Sequence, residues 1–154
     1  MISSIIETEN EVVSLQDAYI YLKTIREYTD RLTISIIKEA HSFIIYENYG
    51  EFSQKQRIAY FKEEYFEYCK PKDIEKELTK LLDDNNIQPY EFLRKFLQIH
   101  PFPDGNGRLA KLLYCFLTNK CIIWKDQGKY IKALRKSDTS LQEYLNHLYF
   151  LNNF

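Results

Sequence analysis

His100-Pro101-Phe102-Pro103-Asp104-Gly105-Asn106-Gly107-Arg108 gathers an imidazole, a carboxylate, two glycines and a guanidinium into nine consecutive residues. Each of these types has a use in phosphoryl chemistry. The imidazole of His100 can take a proton near neutral pH. Asp104 is the hard oxygen ligand that a phosphate-bound Mg²⁺ accepts. Gly105-Asn106-Gly107 frees the backbone for positive φ and for close approach to a ligand. Backbone N–H groups at a helix start, aided by the helix dipole, then form an anion site. Arg108 adds a fork of donors matched to phosphate oxygens, and Lys111 follows one turn later on the same face. A tight helix–helix connection would account for Gly-Asn-Gly alone, with Asp104 capping, Asn106 turning and Arg108 solvated. It does not account for the whole string, which describes phosphoryl-type chemistry on a nucleotide.

Such a loop has to be held between rigid elements, and the backbone breakers show where they lie. The chain has four glycines and four prolines, and two of each fall in residues 100–108. Few breakers elsewhere, with apolar residues three and four apart, predict a mostly helical protein. Leu15, Ala18, Tyr19, Leu22 and Ile25 share one helical face, with Ser14 as the expected N-cap. Asp30 is expected to cap a second helix carrying Ile34, Ile37, His41, Ile44 and Ile45, which ends before Gly50. Residues 52–70 break the helical pattern: Ile58–Phe61 and Tyr65–Cys69 are β-prone and flank Lys62-Glu63-Glu64, which predicts a short hairpin. Pro71 opens a helix with Ile74, Leu78, Leu81 and Leu82 inward, ended by Asp83-Asp84-Asn85-Asn86. Pro89 suits the first position of the next helix, with Phe92, Leu93, Phe96, Leu97 and Ile99 on its core side. After the loop, a helix expected to begin near Arg108 carries Leu109, Leu112, Leu113, Phe116 and Leu117. Two more helices are expected at 127–136 and 140–151, the last opened by Thr139 with Gln142 three residues on.

Composition sets the outer limits. At 154 residues with 45% hydrophobic and 28% charged side chains, the sequence can bury a proper core and fits one domain spanning 1–154. Lys+Arg 21 against Asp+Glu 22 gives a net charge of -1, so no global field draws it to nucleic acid or an anionic membrane. No apolar run approaches the roughly 18–20 residues of a membrane span. The first residues lack the basic and apolar regions of a signal peptide. Cys69, Cys115 and Cys121 have no metal-ligand spacing and read as reduced thiols, so the expected setting is cytoplasmic, with delivery into a host cell left open. His41, on an apolar face, reads as a hydrogen-bonded core histidine; His147 reads as a surface position and Trp124 as a packing plug. The aromatic residues read mostly as core.

The string 100–108 resembles the signature of the Fic family, His-x-Phe-x-(Asp/Glu)-Gly-Asn-Gly-Arg-x-x-Arg, at every specified position through Arg108. The likeness extends to His41, Gly50-Glu51-Phe52, the hairpin, Pro71 and the helix before the motif. Lys129-Tyr130-Ile131-Lys132-Ala133-Leu134 is similar to the family's post-motif helix. It implies an all-α Fic bundle with a short β-hairpin flap at 52–70 and a catalytic loop and helix start at 100–111. Fic proteins typically move AMP from ATP to a Ser, Thr or Tyr hydroxyl of a target protein. By motif position His100 would be the general base, and Asp104 the ligand of a Mg²⁺ bridging the α- and β-phosphates. Gly105, Asn106 and Gly107 would hold the α-phosphate, Arg108 the outer phosphates, and Phe102 would anchor the loop in the core. The flap would pair with the target's backbone, with Ile58, Tyr60 and Phe61 as candidate contacts.

Two positions depart from the family pattern. Lys111 stands where the motif closes on Arg, keeping the charge but losing bidentate geometry. Ser53 stands where the flap-leading Gly-x-(Phe/Tyr)-Arg has its Arg, leaving Lys55 or Arg57 to do that job, or nothing. Ser3-Ser4-Ile5-Ile6-Glu7-Thr8 resembles the family's inhibitory Ser/Thr-x-x-x-Glu-(Gly/Asn) helix, placed here at 1–12. In that reading Glu7 would reach Lys111 and obstruct the γ-phosphate. The alternatives within the fold are transfer of UMP, phosphocholine or phosphate, or removal of AMP; outside it, a nucleotide-binding interaction module with little turnover. The expected partners are ATP and an unidentified protein target, with self-modification at surface tyrosines open; the sequence fixes neither the target nor the oligomeric state.

Overall fold

The structure is a computed structural model that describes residues 1–6, 11–61 and 64–154. Glu7, the Lys62-Glu63 corner and the side chain of Phe61 lie outside the described residues. The apolar periodicity condenses into seven α-helices among them: α1 (Val12–Arg26), α2 (Ile34–Ile44), α3 (Ile74–Asp83), α4 (Pro89–Ile99), α5 (Asn106–Thr118), α6 (Gln127–Lys136) and α7 (Asp138–Asn146). Two antiparallel two-stranded sheets accompany them, β1 (Ile58–Phe61) with β2 (Glu64–Glu67), and β3 (Cys121–Ile123) with β4 (Tyr149–Asn152). The protein is therefore mainly helical with a small hairpin, as the sequence predicts.

Helix α5 sits at the centre. Leu109, Ala110, Leu112, Leu113, Cys115 and Phe116 are buried on it, and it packs on α4, α1 and α2. A helix apolar around most of its circumference has to lie inside the bundle, and this one carries the motif at its first turn. Proline sets both preceding starts, Pro71 in a 3-10 turn leading into α3 and Pro89 at the first position of α4. The flap hairpin pairs Ile58 with Glu67 and Tyr60 with Tyr65. All of β2 is exposed, and an isolated two-stranded hairpin is marginal in water. It is fastened at its root, where Tyr68 N–H donates to the Arg57 carbonyl at 3.1 Å and Gln56 Nε2 to the Tyr68 carbonyl at 2.8 Å.

Several local expectations are corrected. Ser14 lies inside the first turn of α1 and donates to the Glu11 carbonyl at 3.0 Å, so it does not cap the helix. Thr33, not Asp30, caps α2, accepting from Ile36 N–H at 3.1 Å from an extended backbone directly before the first helical residue. Ser137 rather than Thr139 opens α7, accepting from Ser140 N–H at 3.1 Å. The last expected helix ends at Asn146, because Tyr149–Asn152 pairs with Cys121–Ile123. Periodicity cannot separate a short apolar strand from a helix end, and the strand exists through a partner near residue 121. Helix α5 begins at Asn106 rather than near Arg108, so within Gly105-Asn106-Gly107 only Gly105 has positive φ (80) and Gly107 is helical.

Candidate active site

The loop opens where α4 stops. His100 adopts a left-handed conformation (φ 52) and its N–H caps the helix on the Phe96 carbonyl, a backbone region uncommon for residues other than Gly, Asn, Asp and His. Phe102 is fully buried, stacks on His41 with ring centroids 3.7 Å apart, and meets Phe52 at 5.5 Å. The Asn106 amide closes the loop in both directions: Phe102 N–H donates to its Oδ1 at 2.9 Å and its Nδ2 donates to the Phe102 carbonyl at 2.7 Å. His41 Nε2 donates to the Asp104 carbonyl at 2.8 Å, which fixes the tautomer with the proton on Nε2. His41 is thus the hydrogen-bonded core histidine expected, and it serves the loop. At Gly105 an added Cβ would meet Ile45 Cγ1 at 3.0 Å and His41 Nε2 at 3.5 Å, so both φ and space demand glycine there.

What the loop leaves open is the start of α5. The first intrahelical bond runs from Leu109 N–H to the Gly105 carbonyl, so the N–H groups of Asn106, Gly107 and Arg108 have no acceptor within the helix. No side chain caps this terminus and no acidic residue occupies its first turn. A Cβ at Gly107 would meet nothing within 4 Å. An uncapped helix start with open space at its second residue is an anion cradle.

Charged groups surround it. Arg108 is 8% exposed and pairs with Glu11 (Nη1–Oε1 3.2 Å), and more loosely with Asp104 (Nη2–Oδ1 3.5 Å). Asp104 is 73% exposed, and its Oδ1 also accepts from Gly105 N–H at 2.8 Å. One exposed carboxylate is what a Mg²⁺ needs when substrate phosphates and water supply its other oxygens, so Asp104 fits that ion; no cluster of three acidic, Cys or His groups exists among the described residues. Lys111 is buried on the α6 side, donating to Gln127 Oε1 at 3.0 Å and lying 4.9 Å from the Tyr130 ring centroid and 5.5 Å from that of Trp124.

His100 is half-buried, and its ring stacks on Tyr68 at 3.9 Å with the planes 8° apart. Burial, and then the Arg57 guanidinium, push its imidazole from the usual 6.5 down to about 4, against opposing pulls from the Leu97 carbonyl and Asp104. At neutral pH it is uncharged and able to accept a proton. Arg57 Nη1 donates to the carbonyls of His100 and, at 3.0 Å, Phe102. Lys55, by contrast, is exposed, so the cation near the loop comes from Arg57. Ser53 touches the loop through its backbone, its N–H donating to the Pro101 carbonyl at 2.8 Å. Ile58 and Tyr60 are exposed on the flap.

The structure thus brings His100, Asp104, Gly105, Asn106, Gly107 and Arg108 together, with Lys111 turned toward α6. Sequence reasoning missed Glu11 and Tyr68. Glu11 was one carboxylate in an acidic stretch, and nothing around Tyr68 set it apart from the other tyrosines.

Known proteins share this fold. Residues 31–118 match the profile of the Fic/DOC family. A protein adenylyltransferase Fic of Nematostella vectensis is 31% identical over 122 residues, 71% of this chain and 28% of that protein. The chain thus spans little more than a quarter of that curated relative. A Fic domain containing signaling protein from Bacteroides thetaiotaomicron superposes with a TM-score of 0.70 at 21% identity, covering 92% of this chain and 68% of that one. The BepC effector of Bartonella tribocorum, solved with bound AMPPNP, gives 0.66 at 13% identity, with 90% and 86% covered. With a matched family profile over more than half its length and the same bundle in solved relatives, the chain belongs to the Fic/DOC family.

Proposed function

We propose that this chain transfers the adenylyl group of ATP to a hydroxyl of a protein target. The observation that carries the reading is a neutral imidazole, His100, on the same short loop as the uncapped start of α5. The relative named as an adenylyltransferase and the effector that binds AMPPNP support the choice of ATP.

His100 takes the proton of the attacking hydroxyl, a step worth about 10²–10⁴-fold when the base is well placed. The hydroxyl oxygen bonds to the α-phosphorus, the bond to the β-phosphate oxygen breaks, and pyrophosphate leaves with that electron pair. The backbone N–H groups of Asn106, Gly107 and Arg108 hold the α-phosphate oxygens, while the Asn106 side chain keeps the loop in shape. Asp104 would hold Mg²⁺, which when bound neutralises charge on the phosphates. Arg108 takes the outer phosphates, with Lys111 behind it. Ile58 and Tyr60, exposed on the flap, face the target.

We further read the N-terminal segment as a brake. Glu11 already holds Arg108, the cation assigned to the outer phosphates. The described part of the segment lies beside the Lys111 surroundings: Ile5 is buried, and Ser4 Oγ accepts from Trp124 N–H at 3.1 Å, next to the ring that Lys111 covers. In this reading Glu7 acts on Lys111.

Wild type, His100→Ala and Glu7→Gly are incubated with Mg²⁺ and each α-labelled NTP, alone and with cell lysate, and read by intact mass and label transfer. The expected result is an AMP adduct that vanishes in His100→Ala and grows in Glu7→Gly. A UMP or GMP adduct would correct the base preference. No adduct from any NTP on any protein would overturn the transferase reading, and an unchanged Glu7→Gly would remove that part of the brake.

A further inference from the structure

The flap and the catalytic loop are fastened to each other through His100. Arg57 stands just before β1 and Tyr68 just after β2, joined by the backbone bond from Tyr68 N–H to the Arg57 carbonyl. Each then reaches the same residue by a different route. Arg57 Nη1 donates to the His100 and Phe102 carbonyls, those of the residues on either side of Pro101. Tyr68 lays its ring flat on the His100 imidazole, 3.9 Å away, while the Arg57 guanidinium lies 5.9 Å from the centroid of that same tyrosine ring.

A mere brace for the loop would not need this arrangement. The loop already has the reciprocal Asn106 bonds, the stack of Phe102 on His41 and the His41 bond to Asp104. None of those touches the His100 side chain. His100 sits in a left-handed conformation at a helix end, where its imidazole direction depends on what packs against it. Among the described residues the buried Nη2 of Arg57 has no hydrogen-bond partner, a cost that a solvated surface arginine would not carry.

We propose that Arg57 and Tyr68, the two residues at the root of the flap, are positioning residues that set the direction of the His100 ring for proton abstraction. The proposal rests on the transferase reading for its consequence, not for its geometry. Arg57 fixes the backbone at His100, Tyr68 fixes the ring plane, and their backbone bond makes the pair one unit. Whatever docks on β1 or β2 then acts on the base through this unit, because the strands end on these two residues. It also explains how the chain dispenses with an arginine at position 53: the guanidinium arrives four residues later and reaches the loop carbonyls by its side chain, while Ser53 supplies a backbone bond.

The test is histidine-labelled ¹H–¹³C NMR on the whole chain, with the His100 signal assigned from His100→Ala and the His41 signal as an internal monitor of fold. Stacking on a tyrosine face shifts ring protons upfield. The His100 signal is expected upfield in wild type and Tyr68→Phe, and near the position of a free histidine in Tyr68→Leu. Arg57→Gln, which removes nothing that touches the imidazole, is expected to release the signal as well, with Arg57→Lys between. A His100 signal unmoved in Arg57→Gln, with His41 in place, overturns the proposal. Should Arg57→Gln fail to fold, Arg57→Lys and the Tyr68 pair decide it in the same way. In AMP transfer, Tyr68→Leu and Arg57→Gln are expected to lower kcat by about 10²-fold, the scale of a small misplacement of a reacting group. KM for ATP stays put, and Tyr68→Phe recovers most of the rate lost in Tyr68→Leu. A loss confined to KM would also overturn it. If wild type transfers nothing, the transferase reading fails on its own, and the NMR signals still decide the positioning claim.

Discussion

Burial and the Arg57 guanidinium act on His100 in the same direction, both disfavouring its protonated form. With the folded value near 4 and the ordinary value at 6.5, the folded chain binds fewer protons than the unfolded chain between those limits. The stability this contributes is therefore full above about pH 6.5 and is lost as pH falls through that window. The acid limb of kcat/KM is expected near pH 4, and Arg57→Gln is expected to move it upward, as a pH–rate profile would show. A wild-type limb at the ordinary histidine value would contradict the assignment. The two motif glycines make a second contrast. Gly105→Ala forces a side chain into φ 80 against Ile45 and is expected to cost about 1–3 kcal/mol in denaturant unfolding. Gly107→Ala meets open space, so stability should hold or rise by up to ~1 kcal/mol. Its methyl would stand in the anion cradle and weaken ATP binding in calorimetry.

Helix α1 contributes more than packing, because Glu11 at its start neutralises Arg108 on α5. Glu11→Gln keeps the size and removes the charge. It should free the guanidinium and tighten binding of an ATP analogue by about tenfold, or ~1.4 kcal/mol, as titration calorimetry would read. Unchanged affinity would mean that Arg108 and the outer phosphates do not meet, or that Glu11 does not compete for it. The starts of α1, α2 and α7 show how far sequence carries at this scale. Capping-type residues lay within a few positions of each boundary, but the backbone chose Thr33 and Ser137 over Asp30 and Thr139. A cap works only where the chain is extended immediately before the first helical turn, and that point depends on how the preceding segment enters the bundle.

Across the whole molecule, remote segments close the core. Phe154 is buried, sets its ring edge-on to Tyr19 at 5.1 Å and to Phe116 at 6.1 Å, and its N–H donates to the Asn119 carbonyl at 3.1 Å. Phe154→Ala is expected to cost about 3–5 kcal/mol in denaturant unfolding, whereas a loss of a few tenths would show that the last strand packs loosely. Among the described residues no helix is long and apolar enough to cross a membrane. By itself the sequence determined the helices around the loop, the prolines that start two of them, the place of the flap hairpin though not its second strand, which runs Glu64–Glu67 rather than Tyr65–Cys69, and the string from His100 to Arg108. Each of those is written in residues close together in the chain, where spacing translates directly into geometry. Only the tertiary structure decided that Glu11 holds Arg108, that Arg57 and Tyr68 hold His100, and that residues 149–152 form a strand. Those contacts join distant segments, as Arg57 meets His100 across 43 positions, and no local period encodes which carboxylate, guanidinium or tyrosine the bundle will bring to the loop.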